Sequence, residues 1–255
     1  MTTSANTFFW YELMTTDTKA AEAFYTGVVG WRAETWPGPM PYTILNAGEN
    51  GVGGIMALPE EARQMGARPA WVGYIRSDDV DAQATSLTQA GGSIKRAPSD
   101  IPEVGRFAVA ADPQGAIFML LKPNGPDKPP VPSTTDGHIG WRELYATDWQ
   151  AAFDFYAGQF EWTKADALDM GPMGIYQMFA AGSELIGGMM NKPAAIPAPF
   201  WLFYFNVPAI DAAAKRITDQ GGQILMGPQQ VPTGQWILQG TDPQGVMFAL
   251  VAPVR

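Results

Sequence analysis

The chain repeats itself. The segment Trp10-Tyr11-Glu12-Leu13-Met14-Thr15-Thr16-Asp17 returns as Trp141-Arg142-Glu143-Leu144-Tyr145-Ala146-Thr147-Asp148. After each Asp comes an aromatic pair, Phe24-Tyr25 and Phe155-Tyr156, and then a tryptophan, Trp31 and Trp162. Gly53-Gly54-Ile55-Met56 matches Gly187-Gly188-Met189-Met190, and Trp71-Val72-Gly73-Tyr74-Ile75 matches Trp201-Leu202-Phe203-Tyr204-Phe205. Gly91-Gly92 matches Gly221-Gly222, and Asp112-Pro113-Gln114-Gly115 matches Asp242-Pro243-Gln244-Gly245. The offset stays near 130 over nearly all of the 255 residues. Such periodicity restricts the chain to an architecture that half its length can build twice.

Each copy divides again into two modules of one strand, one helix and three more strands. A strand is expected at about 8–14, and Asp17 suits a helix N-cap, because its carboxylate accepts from free N–H groups of the first turn. Ala20, Ala21, Phe24 and Tyr25 then recur at helical spacing. The plan repeats with a strand at 71–76 and a helix starting near Asp79. Gly91-Gly92 ends that helix, since glycine adopts the left-handed C-terminal conformation. The Asp-Pro-Gln-Gly segments suit tight turns, proline fixing one dihedral and glycine freeing another. The expectation is an α+β fold of four βαβββ modules in two tandem domains. The first domain spans 1–122, with modules at about 8–56 and 70–122. A Pro-rich, semi-rigid linker occupies 123–138. The second domain spans 139–255, with modules at about 139–190 and 200–252.

Composition excludes several classes. There are no cysteines, so disulfides, thiolate nucleophiles and zinc-thiolate sites are out, which fits a cytoplasmic protein. No apolar run reaches the ~18 residues a membrane helix needs, and the first residues carry no secretory pattern. Twenty-five acids against 16 bases give a formal charge of −9, with no basic stripe for nucleic acid. There is no Gly-rich phosphate loop and no Ser-His-Asp arrangement.

Taken in order and twice over, the strand–Asp–helix–Phe-Tyr start and the Asp-Pro-Gln-Gly turn resemble the vicinal oxygen chelate superfamily. That group includes glyoxalase I, extradiol dioxygenases, methylmalonyl-CoA epimerase and bleomycin-resistance proteins. The Trp-x-Glu-Leu-x-x-x-Asp start and the Gly-Gly-x-Met strand look most like its tandem glyoxalase-like subgroup, typified by a mycobacterial culture-filtrate antigen. The resemblance covers residues 8–122 and 139–252. It implies paired βαβββ modules whose strands curl around a cleft, and a divalent metal held there by His, Gln and Glu. The implied ligand positions are Trp10 and Trp141 on the first strands, at or next to Trp71 and Trp201 on the second, and Met119 and Ala249 on the last. None is a useful ligand for a hard or borderline divalent ion. His138 is the lone histidine, where two two-His-one-carboxylate sites would need four. The expectation is no metal and no other cofactor, unless a two-residue slip brings Glu12 and Glu143 to the ligand position.

Strand alternation puts every second residue on one face. Trp10, Glu12 and Met14 then look into the first cleft, and Trp141, Glu143 and Tyr145 into the second. Ile117 and Met119, with Met247 and Ala249, face the same clefts. The candidate ligand-binding set is Trp10, Met14, Tyr42, Trp71, Met119, Trp141, Tyr145, Tyr176, Trp201 and Met247. Aromatic faces stack on planar molecules and methionine adapts to irregular shapes. Glu12 and Glu143 are the candidate acid–base residues, since desolvation raises a carboxylate pKa towards neutrality. Both also suit structural carboxylates, bonded to backbone N–H groups or to Tyr42 or Tyr176, and their appearance in both copies favours that reading, since duplicated architecture needs duplicated supports. Three functions stay open: binding of a small apolar or aromatic molecule, a metal-independent lyase or isomerase, and an interaction or structural protein with filled clefts. The fused copies suit a monomer, and a homodimer is the alternative.

Overall fold

The computed structural model describes residues 6–125 and 131–255. The first module runs β1 (Phe8–Thr15), α1 (Thr18–Val29), β2 (Arg32–Thr35), β3 (Thr43–Ala47) and β4 (Asn50–Ala57). A short helix, α2 (Glu60–Gln64), leads to the second: β5 (Ala70–Arg76), α3 (Val80–Gln89), β6 (Ser93–Ile101), β7 (Gly105–Ala111) and β8 (Ile117–Pro123). The third holds β9 (Ile139–Ala146), α4 (Trp149–Phe160), β10 (Thr163–Asp169), β11 (Ile175–Ala181) and β12 (Glu184–Asn191). The fourth holds β13 (Phe200–Asn206), α5 (Ile210–Asp219), β14 (Gln223–Gln230), β15 (Trp236–Thr241) and β16 (Met247–Ala252). All four are βαβββ. Asp17, Asp79 and Asp148 open their helices by accepting from Ala20 N at 3.0 Å, Ala82 N at 3.0 Å and Ala151 N at 3.2 Å, which satisfies N–H groups that a helix cannot pair internally. No helix among the described residues is long and apolar enough to cross a membrane.

Within a module the last three strands form an antiparallel meander, and the first strand lies parallel to the last, as β1 does to β4 and β5 to β8. Each copy forms one eight-stranded sheet, ordered β2-β3-β4-β1-β5-β8-β7-β6 in the first and β10-β11-β12-β9-β13-β16-β15-β14 in the second. Compactness follows a different division. One unit comprises Met1–Trp10, Gly73–Val131 and Arg142–Trp201; the other comprises Tyr11–Val72, Pro132–Trp141 and Leu202–Arg255. Each therefore takes one module from each copy. The division into 1–122 and 139–255 expected from the repeat follows the sheets and is not the division into compact units.

In the second unit α1 and α5 pack together, and the Arg216 guanidinium donates to the Val28 carbonyl from Nε at 3.1 Å and Nη2 at 2.8 Å. Tyr25 centres the core, with Trp71, Phe205 and Phe248 rings 5.1, 6.3 and 5.5 Å away. Part of the Pro-rich segment is bound here: Trp31 Nε1 donates to Gly137 O at 2.7 Å, and Asn206 Nδ2 donates to Ser133 O and Thr135 O at 2.7 and 3.0 Å. The rest of the expected linker, 126–130, lies outside the described residues.

In the first unit α3 meets α4, where Gln83 Nε2 and Ser86 Oγ donate to Gln159 Oε1 at 3.0 and 2.9 Å. Its core centres on Tyr156, with Phe118, Trp162 and Trp201 at 5.6, 5.3 and 5.2 Å.

The Asp-Pro-Gln-Gly turns fasten the modules inside each unit. Asp242 Oδ1 accepts from Gln244 N and Val246 N, both at 2.9 Å, and Gly245 takes a left-handed φ of 82°. Its other oxygen accepts from the Tyr25 hydroxyl at 3.3 Å. Gln244 pairs with the backbone of the helix-opening Asp17, accepting from its N–H and donating to its carbonyl, both at 2.9 Å. The first unit repeats this arrangement with other residues. Asp112 accepts from Gln114 N, Ala116 N and Tyr156 Oη at 2.8, 2.9 and 3.3 Å, while Gln114 pairs with the backbone of Asp148 at 2.7 and 2.8 Å. A motif readable only as a turn is thus also a clasp between a module of one copy and a module of the other.

Candidate functional site

The helices cover one face of the strands. On β1, Tyr11 and Leu13 are buried on that side, Tyr11 at 4.9 Å from the Phe203 ring. Alternation puts Glu12 and Met14 on the other face. In the second unit, cross-strand pairing places Glu12 beside Gly54, with Ile44 beyond, and Met14 beside Met56. A Cβ on Gly54 would collide with the ring and hydroxyl of Tyr42. The glycine is there so that a tyrosine can lie flat across the strand next to Glu12, which is only 5% exposed. The Trp36 ring stands against Tyr42, centroids 6.1 Å apart and planes at 77°.

The first unit holds the equivalent patch. Glu143, also 5% exposed, pairs with Gly188, and a Cβ there would strike the Tyr176 ring. Tyr145 stands beside Met190 and takes the place that Met14 has in the other patch. It stacks on Phe200 with centroids 5.2 Å apart and planes at 14°.

The structure thus gathers Glu12, Met14 and Tyr42 in one unit, and Glu143, Tyr145 and Tyr176 in the other. Trp10 and Met119 belong to the first unit and Trp141 and Met247 to the second; Met119 is buried, and the other three are half-buried.

Trp71 and Trp201 need correction. Both lie in the helix-side cores: Trp71 packs on Tyr25, Trp31 and Phe205, and Trp201 on Tyr156, Trp162 and Phe179. The cause is strand phase. Ala70, Val72 and Tyr74 carry the opposite face of β5, and a one-residue offset exchanges faces. Both tryptophans leave the candidate ligand-binding set.

Several residues escaped the sequence reading. Gly54 and Gly188 seat the tyrosines, and their signal was visible as an unexplained Gly-Gly inside a strand, which often marks close approach of another group. On the non-helical face of the second unit, Gln239 Nε2 donates to the Tyr204 hydroxyl at 2.7 Å, beside Ala249. The first copy has Val109 and Met119 at the positions of Gln239 and Ala249, around Tyr74. A shallow groove of about 490 Å³ along α3 and β6, lined by Asp81, Thr85, Thr88 and Pro98 among others, lies apart from both patches.

Burial raises the carboxyl pKa of Asp112 and of Asp242 above the ordinary value. Burial, then the neighbouring aspartate charge, raises the Tyr25 and Tyr156 hydroxyls well above theirs. These shifts belong to the clasps, in helix-side cores. His138 is half-buried, and burial lowers its pKa.

No group of three or more His, Asp or Glu side chains among the described residues is placed to hold a metal ion. Tryptophan, methionine and alanine stand at the positions where the resemblance implies metal ligands.

Doubled βαβββ modules in eight-stranded sheets, with a buried glutamate on the open face of each first strand, define a paired-module α+β protein. The chain belongs to the glyoxalase/bleomycin resistance protein/dioxygenase superfamily, whose family profile matches residues 7–120 and 137–250. CFP32 of Mycobacterium bovis, provisionally named a glyoxylase, is 30% identical over 247 residues, covering 96% of this chain and 94% of that protein. The anthracycline biosynthesis protein DnrV of Streptomyces peucetius is 29% identical over 260 residues, covering 95% and 91%. Among solved structures, the Mn(II)-bound glyoxalase of Novosphingobium aromaticivorans shares the fold at a TM-score of 0.68 and 17% identity, over 100% of this chain and 84% of that one.

Proposed function

We propose that this chain is a metal-independent member of the superfamily that binds a small apolar or aromatic molecule on a methionine- and tyrosine-lined face beside Glu12, beside Glu143, or on both. The observation that carries the reading is the tyrosine laid across a glycine next to a buried carboxylate, built in both units. A flat aromatic wall, adaptable methionines and one acceptor group suit a planar ligand carrying a polar edge. One relative's name ties it to anthracyclines, which are flat fused-ring aromatics.

The test has two arms. Elemental analysis of the purified protein is expected to find no stoichiometric transition metal, and calorimetric titration with 2-naphthol to show saturable binding. About one tightly held zinc, manganese, iron or nickel per copy would overturn the first half. A flat titration with 2-naphthol would overturn the second.

A lyase or isomerase using Glu12 or Glu143 as acid or base is the second reading. It is favoured by the near-complete burial of both carboxylates and by the glyoxylase name of CFP32.

A further inference from the structure

The two patches share a glutamate, a glycine and a tyrosine, and they differ beside the glutamate. In the first unit that place is filled by the protein's own aromatic rings. Tyr145, 8% exposed, lies stacked on Phe200. A near-parallel ring pair at this spacing is the arrangement a flat aromatic ligand adopts on a tyrosine. In the second unit the corresponding residues are Met14 and Ala70, one place before Trp71 as Phe200 is one place before Trp201. Since Trp71 and Trp201 both point into helix-side cores, Ala70 and Phe200 both face away from them. The stack is therefore absent from the second unit: phenylalanine gives way to the smaller alanine, and tyrosine to an unbranched, deformable methionine.

We infer that the two patches are unequal in what they admit. The Glu12 patch takes a planar aromatic ring into the space between Met14, Ala70 and Tyr42, with the ring's polar substituent towards Glu12. The Glu143 patch holds its own Phe200 ring in that place and excludes such a ligand. Trp36, which flanks Tyr42, has no aromatic counterpart in the loop before Tyr176, where residues 169–175 read Asp-Met-Gly-Pro-Met-Gly-Ile. This adds aromatic surface to the patch that lacks the stack.

The inference rests on the binding function proposed above, and stoichiometry separates the two. The experiment is calorimetric titration of the full chain with 2-naphthol. The expected result is one molecule bound per chain. Met14→Tyr with Ala70→Phe should weaken that binding at least tenfold, by building the stack into the second unit. Tyr145→Met with Phe200→Ala should raise the stoichiometry to two. Circular dichroism and thermal melting check that both variants are folded, and the second variant tests the idea even where the overpacked first one fails to fold. Two molecules bound by the parent, or one whose loss follows the Tyr145 and Phe200 changes and not those at Met14 and Ala70, would overturn the inference and leave the binding function standing. No binding by the parent would overturn both.

Discussion

The two compact units agree at the turn that clasps their modules and disagree on the sheet face turned away from the helices. Asp112, Gln114, Asp148 and Tyr156 in one unit repeat the pairings of Asp242, Gln244, Asp17 and Tyr25 in the other, to which the Thr15 and Thr16 hydroxyls add bonds to Gln244. On the open face Tyr145 and Phe200 stand against Met14 and Ala70, and Gln239 against Val109. A clasp is constrained from several sides at once, by two backbone N–H groups, a tyrosine hydroxyl and a helix start, so any change there leaves buried polar groups unpaired. The open face keeps its glutamate, glycine and tyrosine and changes at the positions around them.

The clasps give the largest effect. Asp242→Ala strips an acceptor from Gln244 N, Val246 N and the Tyr25 hydroxyl together. With unsatisfied buried donors each costing roughly 1–3 kcal/mol, a loss of about 2–4 kcal/mol and several degrees of melting temperature is expected. Asp112→Ala should lose a similar amount, measured by urea and thermal unfolding. An equal response is what a duplicated support requires, whereas a loss under about 1 kcal/mol in either variant would show that water replaces the carboxylate there.

A smaller effect separates the two cores. Trp201 Nε1 donates to the Tyr156 hydroxyl at 3.0 Å, while the buried Trp71 N–H interacts with the Tyr25 hydroxyl without reaching full hydrogen-bond geometry. Both changes to phenylalanine leave a cavity of similar size. Only Trp201→Phe also removes a fully formed hydrogen bond, so it should cost more than Trp71→Phe, by up to about 1 kcal/mol. Equal losses in paired unfolding curves would mean that the two indoles are bonded alike in solution.

What could be read from the sequence was what local chemistry determines. Asp17 and Asp79 declared helix starts, the Asp-Pro-Gln-Gly segments declared turns, and the strands expected at about 8–14 and 71–76 lie at Phe8–Thr15 and Ala70–Arg76. The exchange of modules between copies was out of reach, because Gln244 and Asp17 meet across 227 residues and no periodicity reports such a pairing. The faces of β5 and β13 were misread for a related reason. Alternation specifies which residues share a face and leaves open which face meets the helices. Trp71 was placed in a ligand site when its true neighbour is Tyr25. Glu12, Met14 and Tyr42 came out together because β1 starts the module and its phase is tied to Tyr11 and Leu13, whose burial against the helices could be anticipated.

The smallest effect is a pH dependence, and it tests whether the clasps carry a burden as well as a bond. Burial raises the Asp112 and Asp242 carboxyls above the ordinary carboxylate value, against the lowering exerted by their hydrogen bonds. A raised pKa means that the native protein holds these protons more tightly than the unfolded chain does. Their contribution to stability is then fully present below the ordinary pKa of about 4, and it declines as pH rises through the folded values. Other carboxylates titrate in the same range, so the parent's own curve does not isolate them. Asp242→Asn does. Its side-chain oxygen still accepts from Gln244 N and Val246 N, and its amide donates to the Tyr25 oxygen, so the clasp persists without a titrating group. The stability of Asp242→Asn relative to the parent should therefore increase from pH 4 upwards and level off once the parent's carboxyl is fully ionised. Asp112→Asn should behave in the same way in the other unit. Urea unfolding at closely spaced pH values supplies the difference curve. A flat difference would show a carboxyl with its ordinary pKa. A difference falling with pH would show that the backbone N–H groups outweigh burial, making the ionised aspartate the stronger clasp.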